Sequence, residues 1–294
     1  MSITASMVKD LREKTAAGMM DCKKALTECD GDMEKAVDWL RQKGLSKAAK
    51  KAGRATSEGL VGFDLTNGKL GAAVEVKCET DFVARGDKFQ GFVKDLTAQV
   101  AKGDYADNDA LLAAPFLGDA AHTVKEALDG TIATTGENMG IGHFAKMELT
   151  PGTSGMVGGY LHSNGKLAVL VEVKAGSDEA AASDAFHELV KNVAMQIAAA
   201  SPLAVSSEGL DPKLIEHERE VYRQKAREEG KPEQIIEKIA EGAVKKYCKE
   251  VSLLDQPYIR DDKMTIADLV KAAAKTLGQP VEVVRFVRIQ LGAE

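Results

Sequence analysis

Apolar and polar positions along the chain follow two periods. A helical spacing opens it, with Met7, Val8 and Leu11 on one face of a predicted helix over residues 4–14. Gly18 interrupts this pattern, and Met19, Cys22, Leu26 and Cys29 then form one stripe of a second predicted helix ending at the Gly31-Asp32 turn. A third runs from Asp32 to about Lys43, burying Met33, Ala36, Val37 and Leu40; Asp32 can cap its free amides and Gly44 offers an exit. Three short helices make a small module with much surface for its volume. Met19 and Met20 are soft side chains that suit either core packing or docking on a partner. The stretch that follows carries Lys47, Lys50, Lys51 and Arg54 with no acid between Asp38 and Glu58. It reads as a solvated connector or as a contact for RNA phosphates.

The period then shortens. Leu60–Leu65 and Leu70–Cys78 alternate as two strands around Asn67-Gly68, a pair that accepts the positive φ values of a tight hairpin. Val74, Val76 and Cys78 share one strand face, opposite Glu75 and Lys77. Self-comparison extends this pattern. NGKLGAAVEVKCETD at 67–81 matches NGKLAVLVEVKAGSD at 164–178 at a shift of 97 residues, and the shift also places Phe89 on Phe186, Lys94 on Lys191, Gln99 on Gln196 and Ala101 on Ala198. The preceding pieces GLVGF and GMVGGY correspond once one residue is inserted, and Ser163-Asn164-Gly165-Lys166 is expected to turn as its counterpart does. Amphipathic helices follow in both copies, at about 87–101 and 183–199. Farther along, Thr123 falls on Thr265, Gly136 on Gly278 and Ala145–Leu149 on Val287–Leu291 at a shift of 142, so the second copy holds 45 additional residues.

Each copy therefore reads as strand–strand–helix–helix–strand, a three-stranded antiparallel sheet with helices on one face, and the chain is predicted α+β. The break between copies lies near PGTSG at 151–155. The added residues read as an antiparallel helical hairpin, Pro212–Glu229 and Pro232–Cys248, joined by Gly230-Lys231. Leu214, Ile215, Val221, Tyr222 and Ala226 on one arm are expected to meet Ile235, Ile236, Ile239, Ala243, Val244 and Tyr247 on the other. The hairpin serves either partner contact or stability.

The 294 residues are 44% hydrophobic and 29% charged, with a net charge of -6, which removes a general attraction to phosphates but leaves ordinary globular packing. The four cysteines form no CxxC pair and read as reduced and mostly buried, and the five histidines form no HExxH pattern. GxSxG and Walker A motifs are missing, as are any secretory leader and any apolar run of membrane-spanning length, so a cytoplasmic protein without a catalytic centre is expected. The exceptional segment is Cys78-Glu79-Thr80-Asp81-Phe82-Val83-Ala84, after the hairpin and before a helix. Phe82 is either packed inside or an anchor for another protein's pocket. The second copy keeps Asp178 but has Glu179 in place of Phe82, so the repeated fold does not need an aromatic there. Three function classes follow: an exchange-type binding protein, a scaffold or RNA-associated factor, or an enzyme using scattered acids.

TAAGMMDCKKALTECDGDMEKAVDWLR, VEVKCETDFVAR, the paired hairpins, the inserted arm and EVSLLDQPYI closely resemble the bacterial elongation factor Ts family over nearly the whole chain. The resemblance implies a ubiquitin-associated-type three-helix module at 1–45, a connector at 46–56, core units at 57–150 and 151–291, a hairpin region within 203–260 and a short tail at 292–294. It implies guanine-nucleotide exchange on elongation factor Tu. Thr80, Asp81, Phe82 and Val83 would enter the partner's nucleotide-binding domain, Phe82 as the wedge and Asp81 positioning elements around the partner's magnesium. Met19 and Met20 match the family's docking region, and His162 lies where the family contacts another domain. GDP, GTP and magnesium would belong to the partner, with no cofactor held by this chain. A homodimer or a two-by-two complex fits the family type, a membrane role does not, and nucleic-acid binding is not expected as the main role. Many members continue into a C-terminal helical module, whereas this sequence runs to Gly292-Ala293-Glu294, so the resemblance does not extend to that contact.

Overall fold

The computed structural model describes residues 3–15 and 17–293, without the side chains of residues 45 and 47. Lys47 of the basic stretch and Glu294 of the predicted tail thus lie outside the described residues. The architecture is α+β. Helices α1 (Ala5–Thr15), α2 (Met19–Glu28) and α3 (Met33–Ala49) pack around Val8, Leu11, Cys22, Ala25, Leu26 and Ala36. Asp32 caps α3 by accepting from the Lys35 amide at 3.1 Å. Two expectations are corrected here. Met19 is 59% exposed rather than part of the buried stripe, because Ala25 takes the place beside Cys22 and Leu26. Gly44 does not end α3. It is buried where the helix crosses the first core unit, 3.5 Å separating a Cβ at that position from the Ala133 Cβ, and the helix continues through the good helix formers Ala48 and Ala49.

The first unit contains β1 (Glu58–Thr66), β2 (Leu70–Cys78), the single turn α4 (Asp81–Ala84), α5 (Asp87–Lys102), α6 (Asn108–Ala113), the short hairpin β3 (Pro115–Phe116) and β4 (Asp119–Thr123), α7 (Val124–Thr135) and β5 (Met139–Glu148). The second contains β6 (Gly155–Leu161), β7 (Leu167–Ala175), α8 (Asp178–Ala181), α9 (Asp184–Ala200), the arm α10 (Pro212–Glu228) and α11 (Glu233–Val251), β8 (Pro257–Tyr258), β9 (Asp261–Thr265), α12 (Ile266–Leu277) and β10 (Val281–Gln290). Both sheets are antiparallel, in orders β1-β2-β5 and β10-β7-β6, so the third strand of each copy pairs with the second. The ends of the repeat are alike in chemistry. Thr123 and Thr265 both form capping boxes, with Glu126 and Asp268, and Gly136 and Gly278 both close their helices in the left-handed region.

One face of each sheet carries helices: Val74, Val76 and Cys78 meet Phe89, Leu96 and Val100, and Val169, Val171 and Val173 meet Phe186, Val193 and Ile197. The opposite faces pack on each other through Val61, Ala73, Met147, Val157, Ala168, Leu170 and Ile289, giving four layers, helix–sheet–sheet–helix. Glu75, read from alternation as facing away from the core, is completely buried at this seam, as is its counterpart Glu172. Each carboxylate is held by the chain just past the other copy's last strand: Glu75 accepts from the Gly292 amide at 2.7 Å and Glu172 from the Thr150 amide at 2.9 Å. The hairpin turns are exchanged likewise, Val61 donating to the Gly165 carbonyl and Val157 to that of Gly68, both at 2.7 Å.

Those turns differ, which corrects the expectation that they are equivalent. Asn67 and Gly68 both have positive φ (52° and 66°) in a tight loop over 67–69, with Lys69 N–H donating to the Thr66 carbonyl. In the second copy only Gly165 does (69°), and the loop is wider, with Gly165 donating to His162 and His162 to Leu167. The single inserted residue in the sequence alignment is this extra loop residue. In the arm, Ala226, Ile236, Ala240 and Val244 are buried, while Val221, Ile235 and Ile239 are exposed, contrary to expectation. Two helices alone share only a narrow seam, and residues flanking it face outward. Arg223 crosses the arm to Glu237 at 2.7 Å.

Candidate functional site

The segment singled out in the sequence forms a tip between β2 and α5. Thr80 is extended (φ -130°) and caps α4 by accepting from the Val83 amide. This single turn cannot hold itself, since four residues close too few intrahelical bonds. Contacts from far along the chain hold it. Glu137, in the loop between α7 and β5, accepts from Thr80 Oγ1 at 2.6 Å and from Thr80 N–H at 3.0 Å. Glu79 accepts from the Asn138 amide at 2.6 Å and pairs with Arg54 at 3.4 Å, while Asn138 Nδ2 donates to the Arg54 carbonyl at 2.7 Å. From below, the Cys78 thiol donates to the Thr80 carbonyl at 3.2 Å. Burial, and after it the negative charge of Glu137, pushes this thiol up to about 11.

On this base the side chains diverge. Ala84 is buried and Val83 packs partly on the first unit's core. Asp81 pairs with Arg85 one turn on, at 3.1 Å in a solvated position. Phe82 points out and is 84% exposed, so it is not packed inside. No large apolar residue among those described as exposed is more exposed than Phe82.

His162 is exposed on the turn between β6 and β7, with its Nδ1 3.0 Å from the Tyr160 hydroxyl. That turn lies at the tip's end of the first sheet: Lys166 pairs with Glu58 at 2.5 Å, and Glu58 stands opposite Cys78 in the strand register. Thr80, Asp81, Phe82, Val83 and His162 are therefore brought to one end of the molecule. Met19 and Met20, 59% and 75% exposed, are on the three-helix bundle, which joins the first unit through α3 on α7, with Arg41 bound to Glu126. They form a separate exposed patch.

The family model for Elongation factor TS matches residues 79–293, from the foot of the tip to just past the last strand. The chain belongs to the elongation factor Ts family. It is 60% identical to the Elongation factor Ts of Lawsonia intracellularis over all of both chains. With that of Nitratidesulfovibrio vulgaris the identity is 59% over all of this chain and 97% of the relative. With that of Clostridium novyi it is 47% over 99% and 93%.

Sequence reasoning placed the tip but missed its supports, Glu137, Asn138, Glu79 and Arg54. One signal for them was present. The second copy has Gly176, Gln279 and Pro280 where the first has Glu79, Glu137 and Asn138, so the copies diverge at the supports as well as at Phe82. Among the described residues no group of three His, Cys, Asp or Glu side chains is arranged to hold a metal ion, and no helix is long and apolar enough to cross a membrane. Of the basic stretch, Arg54 pairs with Glu79, and two cations ahead of it are also paired, Lys43 with Asp21 at 2.6 Å and Arg41 with Glu126.

Proposed function

We propose that this chain is a guanine-nucleotide exchange factor that promotes GDP release from elongation factor Tu during translation elongation. Its relatives carry the name Elongation factor Ts, and the observation that carries the reading is the outward Phe82 on a braced single turn. A rigid aromatic presented this way suits insertion into a partner's pocket. Thr80 and Val83 hold the turn, Phe82 displaces elements around the partner's magnesium and nucleotide, and Asp81 is free to exchange its solvated pair with Arg85 for a group on the partner, at little cost. Met19, Met20 and His162 add docking contacts. The chain performs no chemistry itself; GDP, GTP and magnesium stay with the partner.

Exchange then rests on reciprocal coupling. The chain must bind best to a partner state with weakened nucleotide contacts, and GDP must weaken the chain's own binding by the same free energy, about 1–3 kcal/mol in typical allosteric systems. The domain reading goes with this function: a ubiquitin-associated-type docking module at 1–45, a connector at 46–56, core units at 57–150 and 151–291, the inserted hairpin region at 203–260 and a tail at 292–294. It holds equally for a single chain, a homodimer or a two-by-two complex. With a net charge of -6 and no aromatic side chain between residues 47 and 54 on which a base could stack, an RNA-binding role has less support.

The test is stopped-flow release of fluorescent GDP from elongation factor Tu. Phe82→Ala is expected to slow accelerated release at saturating exchange factor by about tenfold or more, the scale of a buried aromatic anchor. Undiminished release with normal binding rejects the wedge.

A further inference from the structure

The structure assigns Glu137 as a positioning residue, the clamp that fixes the Phe82 tip in its presenting geometry. The assignment deepens the exchange reading and rests on it for its functional consequence. Among the described hydrogen bonds, Glu137 has its own to Thr80 and none to Phe82. It acts through Thr80, 57 residues earlier, by receiving both of that residue's donors: Oγ1–H at 2.6 Å and the backbone N–H at 3.0 Å. Thr80 is the cap of α4, so fixing its backbone and hydroxyl fixes where the turn starts and the direction in which Phe82 leaves it. The bonds are charge-assisted and partly buried, the regime in which a hydrogen bond contributes most.

A second rung runs beside the first. Glu79 holds the Asn138 amide at 2.6 Å, and Asn138 reaches back to the Arg54 carbonyl at 2.7 Å. Residues 79 and 80 are thus tied in series to 138 and 137, and the tip is joined to the loop that closes α7, the helix on which α3 rests.

The second copy provides an internal comparison. There Ser177 caps α8 by accepting from the Ala180 amide, so the turn itself forms. The clamp position holds Gln279, the neighbouring rung is replaced by Gly176 and Pro280, and the residue at the apex is Glu179. Among the described residues, Gln279 makes no hydrogen bond to Ser177. Folding of the turn therefore does not require the clamp; both rungs accompany the aromatic.

The experiment uses the full chain and two readouts. Hydrogen exchange on the free protein is followed at the amides of Val83, Ala84 and Arg85, and GDP release from elongation factor Tu is followed at saturating exchange factor. Glu137→Ala is expected to raise exchange at those three amides about tenfold, leave β2 and α5 protected, and slow GDP release about fivefold, the scale of losing a hydrogen bond to a charged group. Glu137→Gln keeps a carbonyl for the Thr80 N–H and offers an amide to Oγ1, so it is expected to restore most of both. Gln279→Ala is the control and should leave release unchanged. Unaltered protection at the tip in Glu137→Ala overturns the assignment. So does loss of protection spread through β2 and α5, which would make Glu137 merely structural. A loosened tip with undiminished release overturns the functional role if Phe82→Ala does slow release. If Phe82→Ala has no effect, the wedge reading fails, and the amide data still decide whether Glu137 holds the tip.

Discussion

Buried charge at single positions decides much of the behaviour of this molecule. Burial raises the Glu172 carboxyl, but hydrogen bonds from Thr150 and the Arg285 guanidinium at 2.7 Å outweigh it and hold the group below the ordinary carboxylate value. A carboxyl depressed in the folded state stabilises above its unfolded value, about 4.3, and that contribution is lost as pH falls through the folded value. Glu172→Gln should therefore lower stability at pH 7 by about 1–3 kcal/mol, and the deficit should shrink as pH drops below about 4. Urea unfolding at the two pH values measures both. Cys78 gives a second prediction. With its thiol pushed up by burial and by Glu137, it should react with iodoacetamide at pH 8 at least about 100-fold more slowly than Cys29 and Cys248, which are only half-buried. Mass spectrometry of native-labelled protein distinguishes the sites. The burial of Cys78 was legible in the sequence, from its place on the face of Val74 and Val76, whereas that of the carboxylates was not. Glu75 and Glu172 sit where alternation assigns a polar face, and only the packing of one sheet on the other reveals that the face is dry.

At the level of elements, local signals were reliable where the deciding residues are close in sequence. Asp32, Asn67-Gly68 and the Glu229–Pro232 join all mark ends that the structure has, since caps and turns are made by residues a few positions apart. Gly44 misled because a glycine that allows a helix to approach another helix resembles one that ends it, and Ala133, which it faces, lies in a distant element. Gly142 on β5 is a sharper case of close approach. A Cβ there would fall 1.9 Å from Glu75 Oε2, where the strand bulges against β2. Gly142→Ala should cost about 1–3 kcal/mol by displacing the buried carboxylate, read as a lower urea midpoint with an unchanged slope. The arm should behave oppositely. Its base is closed by Leu203 N–H donating to the Val251 carbonyl at 2.8 Å, and its own seam is small. Replacing residues 212–250 by a short flexible loop should leave the midpoint of core unfolding within a few degrees, measured by circular dichroism.

Across the whole molecule, two shifts in the numbering, 97 and 142, were enough to read the repeated topology and the place of the insertion. They could not show that the copies interlock, because the decisive bonds connect residues as far apart as Glu75 and Gly292. The same distance hid Glu137 from a reading that found Thr80 and Phe82 directly. Interlocking has a thermodynamic consequence: the units share one sheet–sheet core and each finishes the other's buried carboxylate, so neither should unfold alone. A single denaturant transition is expected, coincident by tryptophan-independent far-ultraviolet dichroism and by amide exchange in β2 and β7, and two separated transitions would contradict it. The braced turn at the end of the first sheet has its own consequence for kinetics. A side chain already aimed before any encounter needs no disorder-to-order step, so the observed association rate should climb in direct proportion to concentration, with neither a lag nor an early plateau.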